Sequence, residues 1–167
     1  MQVKYKNALM WALYAVLFLL VMVVQTVVFG RVRFFNAKLS LIPVVIACVA
    51  MYNGAENGGA FALLAGTFWC LSGVDGGGLM LVLCTVCAVC AGYLCDRIFN
   101  RHLISSLMMS FASLVICQLT LFAIKCYLGQ TGGEAWLPLG YQIALSMLAC
   151  PPLTLAAWAI RKVGEKA

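Results

Sequence analysis

The stretch ALMWALYAVLFLLVMVVQTVVF, residues 8–29, carries no charged side chain across 22 consecutive positions. A helix rises about 1.5 Å per residue and needs roughly 20 residues to cross a hydrocarbon core of about 30 Å. Residues 8–29 meet that length with polar interruption only at Gln25 and Thr26 near the end. Lys4 and Lys6 before the run resemble the positive start of a signal peptide. The apolar core of a signal peptide is only about 7–15 residues long, however, and no small-x-small cleavage site precedes Gly30. The run therefore reads as a retained transmembrane helix.

The rest of the chain has the same solvent preference. Of 167 residues, 65% are hydrophobic and 10% charged, with a mean hydropathy of +1.03. Soluble domains are near half apolar and about a quarter charged. So few charges cannot cover a water-soluble globule of this size, which disfavours a soluble enzyme, a nucleic-acid module and a disordered regulator. The 11 basic residues exceed the 5 acidic ones, yet they lie at segment ends and form no separate basic face. That is the pattern of membrane anchoring and orientation, and no nucleic-acid partner is expected.

Five further apolar segments follow, at residues 39–52, 59–71, 79–95, 103–128 and 137–160. Pro43 stands in the first turn of the second segment, where a missing N–H is tolerated. The second and third segments, of 14 and 13 residues, are short for a span. They flank the polar stretch from Tyr52 to Gly58, read as a tight turn, and form a short helical hairpin. Ser72-Gly73-Val74-Asp75-Gly76-Gly77-Gly78 is the strongest breaker, and Gly129 to Glu134 is a loop. Pro151 and Pro152 interrupt the sixth segment and kink it. The expected fold is an all-α integral membrane protein, residues 1–167 forming one polytopic six-segment bundle.

Six crossings place both termini on one side. With both in the cytoplasm, that side holds Lys4, Lys6, Arg97, Arg101, Arg161, Lys162 and Lys166. The opposite side holds only Arg31, Arg33, Lys38 and Lys125. Basic residues favour the cytoplasmic side, so this orientation is the expected one.

Reactive groups are sparse. Cys84, Cys87 and Cys90 make two overlapping C-x-x-C spacings, but inside an apolar helix and away from its N-terminus. A redox pair gains its low thiol pKa from a helix N-terminus or a nearby cation. On one helix Cys84, Ala88, Ala91 and Cys95 form a stripe of small residues flanked by Cys87, which fits close helix packing in lipid. Thiol–disulfide chemistry at these cysteines is the competing reading. His102 is the single histidine, and there is no metal-ligand spacing, G-x-S-x-G, S-x-x-K or phosphate loop. No catalytic residue, cofactor or metal is expected. Gln118 is the one strongly polar residue deep in a span and reads as an interhelical hydrogen bond. Gly58, Ala62, Ala65 and Gly66 give the third segment a small face. Trp11, Trp69, Trp136 and Trp158 read as interfacial aromatics.

One ordered set of residues has a further likeness. Pro43 is followed by the Tyr52 to Gly59 turn. Then come the run from Gly59 through Gly66 and Trp69 to Ser72-Gly73, the pair Gly78-Leu79, and finally Ala91-Gly92-Tyr93. This order resembles the rod shape-determining protein MreD family, over nearly the whole chain in length, layout and basic C-terminal end. Where that family has an Asp after its Gly-x-x-Trp stretch, this chain has Cys70.

The resemblance implies a non-enzymatic subunit of the bacterial cell-elongation machinery in the cytoplasmic membrane, acting on peptidoglycan synthesis through contact. It implies an MreC-like single-span partner. An MreB filament, a SEDS glycosyltransferase and its transpeptidase belong to the same assembly, with the lipid bilayer as surroundings. It implies kinship in fold with the S-components of vitamin transporters. Candidate packing or interaction residues are then Pro43, Gly59, Gly66, Trp69, Ser72, Gly73, Gly78, Gly92 and Tyr93. The alternative function is a substrate-binding S-component for a vitamin or micronutrient, which needs converging polar groups such as Asn53, Gln118, Tyr141 and Gln142.

Overall fold

The computed structural model describes residues 2–28, 40–72, 77–97, 103–129 and 136–166. The basic connection from Arg31 to Lys38, Gly73, Asp75, Arg101, His102 and the loop at 130–135 lie outside the described residues. What is described is almost entirely helical. The helices are α1 (Gln2–Val23, continued by a wider π turn at Val24–Val28), α2 (Ile42–Asn53) and α3 (Ala55–Leu71). They continue with α4 (Gly77–Arg97), α5 (Leu103–Tyr127), α6 (Trp136–Leu148) and α7 (Cys150–Lys166). Four stretches are long and apolar enough to cross a membrane: Asn7–Val27, Gly77–Arg97, Ile104–Tyr127 and Trp136–Val163. Such a set describes a multi-pass membrane protein.

Three sequence expectations need correction. The polar turn expected from Tyr52 to Gly58 shrinks to Gly54 alone, and α3 begins at Ala55 instead of at residue 59. Gly54 has φ +85°, a conformation L side chains rarely adopt, so one residue suffices to reverse the chain. Glu56 then falls in the first turn of α3, where its charge complements the helix dipole. The sixth segment is two helices, not one bent one, parted at Ala149. Pro151 and Pro152 cannot donate to the preceding turn, yet they fit the first turn of a new helix. The first helix starts at Gln2, several residues before the apolar run.

The core is built around α2. Every residue from Ser40 to Tyr52 is buried, although α2 is the shortest of these helices. It packs against α1, α3, α4, α5 and α7, so protein takes the place of lipid on all its faces. The tightest pair is α3 with α4. Gln25 of α1 and Ser146 of α6 both meet the start of α2. Tyr14 of α1 hydrogen-bonds Ala157 of α7, the same number of residues along each chain from that level. The α1 and α6–α7 paths are therefore antiparallel, and the described chain starts and finishes toward the same end of the bundle.

Candidate functional site

A helix inside a lipid-surrounded bundle must have its end groups satisfied by protein, since no water reaches them. The N-terminus of α2 shows how. Gln25 Oε1 accepts from the Leu41 N–H at 2.9 Å and the Ile42 N–H at 3.3 Å. Ser146 Oγ accepts from the Ser40 N–H at 3.1 Å. Pro43 has no N–H to satisfy. The π turn that carries Gln25 breaks the regular ladder of α1 where its amide meets α2. At the other end the Gly54 N–H donates to Ala50 O at 2.9 Å and Asn53 Nδ2 donates to Val49 O at 2.9 Å. Gln25 thus has a role that hydropathy alone did not assign, and its signal was an amide in an otherwise apolar run.

A seam of small residues joins α2, α3 and α4. A Cβ placed on Gly58 would collide with the backbone and side chain of Ala50, so α2 and α3 cross there almost backbone to backbone. A Cβ on Gly92 would lie 2.6 Å from the N and Cα of Ala55, so α4 rests directly on the reversal at Gly54. A Cβ on Gly59 would lie 2.8 Å from Val89 Cγ2, and one on Gly66 would lie 2.6 Å from Leu81 Cδ1. The small faces expected on the two helices are both turned inward: Gly58, Ala62, Ala65 and Gly66 on α3, and Cys84, Cys87, Ala88, Ala91 and Cys95 on α4 are all buried.

The candidate residues divide by position. Pro43, Gly59, Gly66, Trp69 and Gly92 are interior, whereas Ser72, Gly78 and Tyr93 are exposed. Ser72 donates from Oγ to Phe68 O at 3.0 Å, and nothing stands within 4 Å of a Cβ built on Gly78. Trp69 is only 5% exposed and corrects the expectation of an interfacial ring. Its place one turn beyond Ala65 and Gly66 puts it on the seam side of α3. Trp136, by contrast, is exposed, and its ring is tilted against that of Phe122 with centroids 4.5 Å apart.

The third arrangement is a buried polar line on α5. Ser106, Ser110, Ser113 and Cys117 recur at helical spacing on its inner face. Ser110 Oγ lies 3.2 Å from Cys48 Sγ of α2, and Ser106 Oγ donates to the same sulfur at 3.8 Å. Farther along, Cys117 Sγ is 3.9 Å from Cys87 Sγ of α4. Gln118 is buried. The hydroxyl of Tyr52, the hydroxyl of Ser105 and the indole N–H of Trp69 are buried without a hydrogen-bond partner among the described residues.

Among the described residues, most charge lies toward the end where α2 turns into α3, with Lys125 toward the other end. Arg97 Cζ stands 5.5 Å from the ring of Tyr93, and Lys162 Nζ stands 4.0 Å from the ring of Trp158. A cation beside an aromatic ring at a helix end is a usual anchor at the lipid–water boundary. Both pairs lie toward the end where α2 turns into α3. No group of three or more potential metal ligands comes together among the described residues. Compared with protein families, with characterised proteins and with solved structures, the chain finds no match.

Proposed function

We propose that this protein is a membrane scaffold or regulatory subunit of the bacterial cell-elongation machinery, of the MreD type, and that it works by helix contact. The observation that carries the reading is the division of its surface. Many of its polar and small side chains are turned inward, into α2, the seam and the α5 line. The outward faces of α1, α4, α5 and α6 offer Leu, Val, Ile, Phe and Tyr to the bilayer and to other helices. A protein built so can hold a neighbouring span by packing, without a reacting group of its own. The ordered resemblance from Pro43 to Tyr93 supplies the assembly: an MreC-like single-span protein as direct partner, with an MreB filament and the wall-synthesising glycosyltransferase and transpeptidase beyond it.

The finer architecture belongs to the same proposal. α2 and α3 form the short hairpin, α6 and α7 make one crossing, and the six segments take an arrangement like that of transporter S-components. Both termini face the cytoplasm. Arg97, Arg161 and Lys162 at the end shared by the termini support that orientation, with Lys125 toward the other end.

Depletion in a rod-shaped host and affinity capture test the reading together. Depleted cells should lose rod shape and widen, and the tagged protein should retain an MreC-like single-span protein after detergent extraction. Unchanged rods after depletion would overturn the proposal.

A further inference from the structure

Helix packing accounts for the small size of the cysteines on α4, but not for two thiols meeting across α4 and α5. Cys87 and Cys117 bring their sulfurs to 3.9 Å across the α4–α5 contact, so the two thiols touch. Their exposures differ in a useful way. Cys87 is 9% exposed, at the edge of the arc of α4 that turns Val86, Val89 and Cys90 outward, whereas Cys117 is fully buried. An oxidant dissolved in lipid can therefore reach Cys87 before Cys117. The pair lies among buried small residues, Ala88 and Ala91 on α4 and Ser113 on α5, with the Cys84 thiol of α4 beside Cys117 as well. A disulfide needs an S–S separation of about 2.05 Å, so rotation and a modest helix approach close the remaining gap.

We propose that Cys87 and Cys117 are a disulfide-forming modification site that lipid hydroperoxides close, clamping α4 to α5. In the first step the Cys87 sulfur attacks the terminal oxygen of the hydroperoxide. The O–O bond breaks, a sulfenic acid forms, and the lipid leaves as its alcohol. In the second step the Cys117 sulfur attacks the sulfenic sulfur. The S–S bond forms, the S–O bond breaks, and the hydroxyl leaves with the Cys117 proton as water. Both thiols together lose two electrons, and the peroxide gains them. Cys90 meets the same oxidant at the outer face. The site is independent of the scaffold reading, because it rests only on the α4–α5 geometry.

The test uses the full chain in lipid nanodiscs, with cumene hydroperoxide as the lipid-soluble peroxide. After exposure, free thiols are alkylated in denaturant and the protein is mapped by mass spectrometry. The expected product is a Cys87–Cys117 linked peptide, reversed by a phosphine reductant. In Cys117→Ser the expected product is a dimedone adduct on Cys87 with no linked peptide. Thermal unfolding should shift upward on oxidation of the wild-type protein and stay in place for Cys117→Ser. The mapping of the unmodified sequence needs no variant to fold. Alkylation of both Cys87 and Cys117 after peroxide treatment, or a disulfide joining Cys117 to Cys84 instead, overturns the proposal.

Discussion

α2 and α6 are nearly the same length and similarly apolar, yet they have opposite surroundings. α2 is buried from Ile42 to Tyr52, with five helices around it. α6 buries only Leu139 and Ser146, packs mainly on α5 and α7, and leaves Leu148 85% exposed. The difference teaches that in lipid an apolar helix does not reveal whether protein or bilayer surrounds it. Lipid tails are as apolar as Leu, so hydrophobicity gives no drive toward the inside. What distinguishes α2 is its company. Small residues such as Gly58 and Gly92 let backbones close on the α2–α3 hairpin, and polar partners such as Gln25, Ser110 and Ser146 meet its polar atoms.

Substitutions can break that comparison or sharpen it. The largest effect is expected where backbone meets backbone. Gly58→Leu drives a side chain into Ala50 and should cost about 3 kcal/mol or more, since packed backbone cannot yield as a side chain does. The matching Gly140→Leu on α6 meets open space and should change stability by less than about 0.5 kcal/mol. Unfolding of the two variants in mild detergent, followed by monodispersity, checks the contrast. Equal losses would show that α2 and α6 differ less than their burial indicates.

The polar cap of α2 comes next. Gln25→Leu leaves the Leu41 and Ile42 N–H groups without their acceptor inside the bundle, for an expected loss of about 2 kcal/mol. Thermal midpoints against the wild type measure it, and hydrogen exchange should rise first at the start of α2. Ser110→Ala removes the hydroxyl beside Cys48 while keeping the volume close. About 1 kcal/mol is expected from that change in the same unfolding assay. At the small end stands Gly78→Ala on the first turn of α4. A Cβ there meets nothing, and Ala is the better helix former, so a gain of up to about 1 kcal/mol is expected. A loss at Gly78 would mean that something outside the chain contacts this position.

Much of the fold was legible in the residues. Each apolar run became helix, and Pro43 fell in the first turn of α2. The small stripes on the third and fourth segments are both buried inside the bundle. The errors have local causes. Gly58 read both as the end of a turn and as part of a small face, because glycine has the same signature in a turn as in a close crossing. Trp69 read as interfacial, because an indole ring is equally at home at a headgroup and against a small-residue seam. Of the candidate site residues, the sequence alone could not divide Gly66 and Gly92, which are inside, from Gly78 and Tyr93, which are outside.

The chain itself determined its solvent, its secondary structure and the end to which most of its charge goes, because those follow from composition and from the length needed to cross hydrocarbon. Only the tertiary structure decided that the shortest helix would be the enclosed one, that Gln25 would cap it, and that Cys87 would meet Cys117. Each of those facts depends on which helix faces which. In a medium as apolar as the side chains, that choice is made by the fit of small and polar groups across contacts distant in sequence.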